Sequence, residues 1–228
     1  MDDRSLAWLQ IGRAAVAESV KRAVLEIFPD PVDALKADLS VLRHGKPCTY
    51  RRQALDSFVN RSGLRRDIDW LSMPGRSVIG LTDPLFPRLL REIANPPAIL
   101  YCEGEASFLS RPAVAVVGSR NPTPVGSESA SRFAGAIGRH GATVVSGLAL
   151  GIDSAAHRGA LGTRGSTIAV CATGLDTIYP RCHRKLACDI TDVGLMLSEF
   201  PPGVGVRRHH FPQRNRLISG LSLGTVVV

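Results

Sequence analysis

The segment AVAVVGSRNPTPVG, Ala113 to Gly126, carries small and β-branched apolar residues straight into Gly118-Ser119-Arg120 and a loop with two prolines. A short apolar run bounded by turn residues reads as a buried strand. The next stretch, SESASRFAGAIGRHG, has the spacing of an amphipathic helix. A strand, a loop and a helix in that order put the positive end of a helix dipole beside the loop, which suits an anion. The loop matches neither G-x-G-x-x-G nor G-x-x-x-x-G-K-[ST], so it signals neither a dinucleotide fingerprint nor a P-loop. Gly118 permits a tight turn. Ser119 offers a hydroxyl, and Arg120 a two-pronged cation for phosphate. A plain βα turn is the other reading of the same three residues.

Outward from this segment the rhythm repeats. TVVS precedes GLALGI and the helix DSAAHRGALG. STIAVCA precedes TGLDTIYPRC and HRKLACDIT. LMLSEF precedes PPGVGVRRHHFP, then QRNRLISGLS and a final strand, TVVV. Wholly apolar strands alternating with amphipathic helices imply an α/β, doubly wound parallel sheet across residues 113–228. Ligands of such sheets bind at the carboxyl ends of the strands, where these loops fall. Residues 1–75 read as a small helical domain. LAWLQIGRAAVAESVKRAVLEIF places Leu6, Leu9, Val16, Val20, Val24 and Phe28 near one face until Pro29 and Pro31 stop it, and CTYRRQALDSFVN and RRDIDWLSM follow. Residues 76–112 are a proline-broken connecting segment whose apolar ends can pair as strands. The chain stops inside an apolar strand, Val226–Val228, so a further C-terminal part is expected.

Among 228 residues, 28 Lys and Arg face 20 Asp and Glu, a net charge of +8, with 44% apolar residues. A basic surface favours polyanions; an unspecific basic surface is the alternative. The N-terminus MDDRSLAWLQ lacks a signal-peptide pattern, and no stretch approaches the roughly 18 apolar residues of a membrane span, so a cytoplasmic location is expected. The cysteines, Cys48, Cys102, Cys171, Cys182 and Cys188, are odd in number and form no C-x-x-C. Reduced structural thiols fit best. Cys182-His183 beside Cys188 is half a zinc site with no second half, and neither metal nor cofactor is expected.

The remaining loops carry the chemistry. In SGLALGID, Ser146 to Asp153, the glycines Gly147 and Gly151 allow close backbone approach. Asp153 can cap the next helix, and His157 lies one turn on. The two are either an acid/base pair acting on a nucleotide or a cap with a loop-ordering histidine. With no nucleophile or metal cluster beside them, the second reading is preferred. ATGLDTIYPRCHRK sets Arg181, His183, Arg184 and Lys185 at a helix start, which the dipole disfavours unless an anion sits there; an exposed basic face is the alternative. RRHHFPQRNRLISG offers Arg207, Arg208, His209, His210, Arg214 and Arg216 interleaved with Phe211 and Asn215. Cations for a phosphate chain with an aromatic for stacking suit a nucleic-acid strand better than one nucleotide. Arg51, Arg52, Arg61, Arg65 and Arg66 read as a solvated face rather than a DNA contact.

VVGSRNPTPVG, VSGLALGIDSAAHRGAL, TIAVCATGLDTIYP, LSEFPPG and FPQRNRLISGLS occur in order, and LTDPLFPRLLREIANPPAILYCEG precedes them. Together they resemble the DNA-processing protein A family of bacteria (DprA, also called Smf), strongly from about residue 70 onward. The resemblance implies a sterile-alpha-motif-like helical module ahead of a Rossmann-like domain. It implies a homodimeric, non-enzymatic protein that binds and protects incoming single-stranded DNA in natural transformation and helps load the RecA recombinase. It assigns Gly118, Ser119 and Arg120 to a phosphate-binding loop, Ser146 and Gly147 to a second loop, and Lys185 to a basic DNA contact after Tyr-Pro. Phe211, Arg214, Asn215 and Arg216 belong to its Phe-Pro-x-Arg-Asn-Arg segment. The chain departs from the family pattern at His183, where asparagine is frequent, and at Ala172, where glycine is common. Members also continue past the fifth strand of this domain. The competing reading is a nucleotide-binding hydrolase resembling the LOG phosphoribohydrolases, acting through Asp153 or His157. Its Pro-Gly-Gly-x-Gly-Thr motif is absent. A dehydrogenase ranks last.

Overall fold

The computed structural model of the chain describes residues 1–42 and 53–228, so Cys48, Arg51 and Arg52 lie outside the described residues. Helix α1 (Asp3–Arg13) is capped by Asp2, whose side chain accepts from the Ser5 N–H. The single helix expected through Phe28 is broken after Arg13. There Ala14 bridges Val59, and the Ala15 N–H donates to the Phe58 carbonyl at 2.8 Å. Pairing with a distant segment outweighs local helix propensity, and α2 (Glu18–Ile27) starts afresh. α3 (Pro31–Lys36) begins with proline and an Asp30 cap. The described part of CTYRRQALDSFVN forms only a 3₁₀ turn, Leu55–Phe58, because Ala54 and Val59 on either side are extended and bridged to Asp38 and Ala14. α4 (Arg61–Leu71) follows under an Asn60 cap.

The sheet is built from β1 (Arg76–Gly80), β2 (Ile99–Gly104), β3 (Ala113–Val117), β4 (Thr143–Ser146), β5 (Thr167–Val170), β6 (Leu195–Ser198) and β7 (Thr225–Val227). Between them run the short α5 (Arg88–Arg91), α6 (Pro124–Arg139), α7 (Ile152–Ala160), α8 (Arg184–Val193) and α9 (His210–Gly220). Strand order is β1-β2-β6-β5-β4-β3-β7 in one seven-stranded sheet. β3 to β7 pair in parallel, as the strand-helix alternation requires. The apolar ends of the connecting segment do pair, with Val78 opposite Tyr101, and β2 continues antiparallel onto β6, with Tyr101 opposite Ser198. The fold is therefore α/β with a mostly parallel sheet and an antiparallel wing.

Both faces of the central strands are apolar, and successive residues serve opposite sides. Val116 and Val144 pack with Ala130, Ala134, Ile152 and Ala156 of α6 and α7. Ala115 and Val145 join a larger core that also contains Trp8, Leu9, Trp70, Tyr101, Leu197 and Leu217, so the N-terminal helices share one apolar cluster with the sheet. Gly80 of β1 admits the Trp8 ring: a Cβ there would lie 2.0 Å from Cε2 of the indole. α9 begins earlier than its sequence suggests, at His210, because Pro212 falls in the first turn, where no N–H is needed. Among the described residues no helix is long and apolar enough to cross a membrane.

Candidate functional site

The loops after β3, β4, β5 and β6 meet at one edge of the sheet. In the first, Gly118 answers a need for space rather than for a turn: a Cβ would meet the Val228 carbonyl oxygen at 2.1 Å and Ile152 at 2.9 Å. The Ser119 carbonyl accepts from the Ile152 N–H at 3.0 Å, tying this loop to the start of α7, while the Ser119 hydroxyl accepts from the Asn121 N–H at 3.1 Å. Ser119 and Arg120 face solvent. The Arg120 guanidinium lies over the Phe211 ring, 5.5 Å from its centroid, and Phe211 meets Tyr179 edge-on at 5.6 Å. Arg120, Leu150, Tyr179, Pro180 and Phe211 line a small notch. Beside it lies a cleft of about 370 Å³ bounded by Gly118, Arg120, Asp153, Asn215 and Thr225.

The second loop turns inward, with its buried side chains and its amides engaged within the fold. Ser146 is fully buried, and its hydroxyl donates to the Val116 carbonyl at 2.7 Å. The Gly147 and Ala149 N–H groups both donate to Asp153 Oδ2, at 3.1 and 3.3 Å. The Leu148 N–H donates to His157 Nε2 at 3.3 Å, and the Leu148 carbonyl accepts from His183 Nδ1 at 2.9 Å. Leu148 is buried with a φ of 58°, a left-handed conformation that an L side chain adopts only when its surroundings impose it. Here four side chains from three parts of the chain impose it, the fourth being Arg214. Its Nη1 donates to the Gly147 carbonyl at 2.6 Å and to the Val170 carbonyl. Gly147 is glycine because a Cβ would fall 2.3 Å from that guanidinium. Arg214 is 3% exposed, so it supports the loop from below and shows only in the floor of the cleft.

The hydrogen bonds fix the state of His157. Nε2 accepts, so Nδ1 carries the proton and donates to Thr167 Oγ1 at 2.8 Å, whose hydroxyl in turn donates to the Val144 carbonyl. Burial, reinforced by His183, Arg214 and Arg158, pushes its pKa down to about 3. Burial raises the pKa of Asp153, against the pull of Arg214 and the loop N–H groups. Asp153 and His157 are thus both engaged in ordering residues 147–149. The expected helix cap is not formed: α7 starts at Ile152 behind Gly151 with no side-chain cap, and Asp153 lies in its first turn, turned back to the loop amides.

In the third loop Asp176 accepts the Gly203 N–H on both oxygens, at 2.9 and 2.8 Å. Arg181 and Arg184 face solvent. Lys185 is exposed and pairs one turn along α8 with Asp189 at 3.0 Å, a surface ion pair that solvent and counterions exchange readily. In the fourth, Arg207, Arg208 and His209 are exposed, whereas His210 is buried, bonded to the Ala172 carbonyl at 3.2 Å and stacked on Phe200 at 3.9 Å. Phe211 and Asn215 stand one turn apart on α9, on the face toward the cleft. Arg216 turns to another face and binds Glu199 through both nitrogens, at 3.0 and 2.5 Å, so its charge is already matched. The edge therefore gathers Gly118, Ser119, Arg120, Phe211 and Asn215 around the notch and cleft, with the buried Gly147 and Arg214 in their floors, keeps Lys185 exposed on α8, and takes Ser146 inside. His183, one of the helix-start group expected to face an anion, is instead buried and holds Leu148; Tyr179 joins the notch, and the aromatic-proline pair at 179–180 is the signal that points to it. Among the described residues no three His, Cys, Asp or Glu side chains gather as a metal-ligand set.

A family model described as DNA recombination-mediator protein A matches residues 77–228. Protein Smf of Synechocystis is 46% identical over 150 residues, 64% of this chain and 38% of that protein. DNA processing protein DprA of Bacillus subtilis is 40% identical over 155 residues, 68% of this chain and 52% of that protein. The X-ray structure of DNA processing protein A from Streptococcus pneumoniae superposes with a TM-score of 0.80 at 32% identity, covering 100% of this chain and 78% of that one. A DNA processing protein A structure from Helicobacter pylori, described for its single-stranded DNA binding mode, gives a TM-score of 0.61 at 33% identity, covering 67% of this chain and 68% of that one. The chain spans about half the length, or less, of these two sequence relatives.

Proposed function

Because the chain belongs to the DNA recombination-mediator protein A family, the DNA-processing proteins DprA and Smf, we propose that it binds single-stranded DNA along the loop edge of its sheet. The observation that carries this reading is the Arg120–Phe211–Tyr179 stack beside the exposed Ser119. A guanidinium for phosphate next to an aromatic face for a base is the pairing that sequence-tolerant strand binding uses. In this reading the contacts are the Gly118-Ser119-Arg120 loop, Phe211 and Asn215. Lys185 joins them by exchanging Asp189 for a phosphate, and Arg216 lies at the rim. Ser146, Gly147 and Arg214 hold the platform from inside. The protein would act as a homodimer in the cytoplasm, without catalysis, shielding incoming strands in natural transformation and helping to load RecA, with residues 1–75 as its sterile-alpha-motif-like module. The engagement of Asp153 and His157 in backbone hydrogen bonds weighs against the hydrolase reading.

Fluorescence anisotropy of labelled oligo-dT against a duplex of equal length, at two salt concentrations and with excess AMP, tests the reading. The expected result is preference for the single strand, weakening with salt and indifference to AMP. Arg120→Ala should weaken binding by roughly tenfold and reduce the steepness of the salt dependence by about 0.7 in log–log slope, the loss of one phosphate contact. Tight AMP binding without strand affinity would overturn the proposal.

A further inference from the structure

We propose that the N-terminal helices position the basic loop of this edge, and that Arg13 is the positioning residue. The inference rests on the DNA-binding reading above. Arg13 closes α1, and its guanidinium is held as a fork on the fully buried carboxylate of Asp67 in α4, at 2.7 and 2.5 Å. The Tyr101 hydroxyl of β2 donates to the same carboxylate at 3.4 Å. Gly63 makes the fork possible, since a Cβ there would stand 2.7 Å from Arg13 Cζ. Fixed in this way, Arg13 Nη2 also donates to the Pro202 carbonyl at 2.7 Å.

Pro202 lies at the elbow from which the basic segment departs. The other side of the elbow is gripped by the third loop, through Asp176 on the Gly203 N–H and through the Gly174 N–H on the Val204 carbonyl at 2.8 Å. Phe200, just before it, carries the stacked His210 that opens α9. A shift of the elbow therefore moves Arg207 and Arg208 directly, and Phe211 through the start of α9. A buried ion pair needed only for stability would have no reason to include a loop carbonyl on the binding edge. A guanidinium offers donors in a rigid fork, which lets one side chain join α1, α4 and the elbow in a single geometry.

Two variants in the full chain test this. Arg13→Lys keeps the charge opposite Asp67 but cannot reach the carboxylate and Pro202 together. Gly63→Ala places a methyl where the guanidinium sits, in a helix turn where alanine is favoured, so folding is retained even if the lysine variant fails. The readouts are oligo-dT affinity with its salt dependence, the thermal midpoint and amide hydrogen exchange. The expected result is roughly three- to tenfold weaker binding, a shallower salt dependence and faster exchange concentrated at residues 203–209, with a lower midpoint only in the variant that pushes the guanidinium off the buried Asp67. Wild-type affinity and exchange in a folded variant would overturn the inference, as would a loss of affinity that tracks faster exchange across the whole sheet. If the wild type itself binds no oligonucleotide, the DNA reading falls, while exchange at 203–209 still decides whether Arg13 holds the elbow.

Discussion

Arg214→Ala is expected to cost roughly 3–5 kcal/mol of stability, the range for breaking a buried ionic network by removing one partner. For a chain of this size that is a fall in thermal midpoint on the order of 10 °C. The guanidinium is the shared donor for the Gly147 and Val170 carbonyls, and its charge lies close enough to Asp153 to oppose the burial that raises that carboxyl. Its removal leaves two inward-facing carbonyls without their donor and a buried carboxylate without a counter-charge. It also opens the space that Gly147 was kept small to provide. Arg214→Lys should recover part of the loss, since an ammonium restores the charge but not the two-carbonyl reach. A melt of Arg214→Ala within about 2 °C of wild type would show that the loop stands without this residue.

Stability should fall steeply as the solution is acidified from pH 6.5. His157 is held neutral in the fold, with a pKa pushed from 6.5 down to about 3. Below 6.5 the unfolded chain takes up a proton that the folded chain refuses. Unfolding is therefore favoured by roughly 1.4 kcal/mol per pH unit until the folded pKa is reached, so the stabilisation is complete above 6.5 and lost on the way down to about 3. Asp153 works the other way. Its folded pKa is raised, so the fold holds a proton that the unfolded chain releases, and acidification through that range favours the native state. The histidine contribution is cleanest at the upper end of the window, before carboxylates titrate. Urea unfolding of wild type and His157→Gln across pH 5 to 7 reads it. The variant is expected to be weaker at neutral pH, through the lost bond to the Leu148 N–H, yet flatter with pH. An equal slope in both proteins would show that His157 is not the titrating group.

The strand-loop-helix alternation from Ala113 onward was legible because each step has a local signature: an apolar run, a glycine-containing loop and an amphipathic helix. The breaks at Ala14 and at Leu55–Phe58 were not, because they depend on bridges between residues far apart in sequence. The site divides along the same line. GSR at 118–120 and SGL at 146–148 look alike, each a small-residue loop behind a strand. One faces solvent, while the other is filled by Asp153, His157, His183 and Arg214, whose convergence no local pattern announces. Arg214 and Arg216, two positions apart on one helix, likewise read as equivalent cations, yet one ties loop carbonyls together and the other matches Glu199. Charge and motif reveal the edge; which cations are free to meet a ligand is decided by partners elsewhere in the chain.

The antiparallel seam between β2 and β6 bears on how this protein can be divided. A fragment cut to begin at the Rossmann-like half, near Ala113, would strip β6 of its neighbour along Tyr101–Gly104 and uncover the N–H and C=O groups of Leu195–Ser198, one of the most apolar strands of the sheet. An unprotected hydrophobic edge of that kind recruits strands from other molecules. Such a fragment should self-associate, whereas one retaining β1 and β2 keeps the seam closed, so the smallest soluble unit begins well upstream of the loop at Gly118 to Arg120.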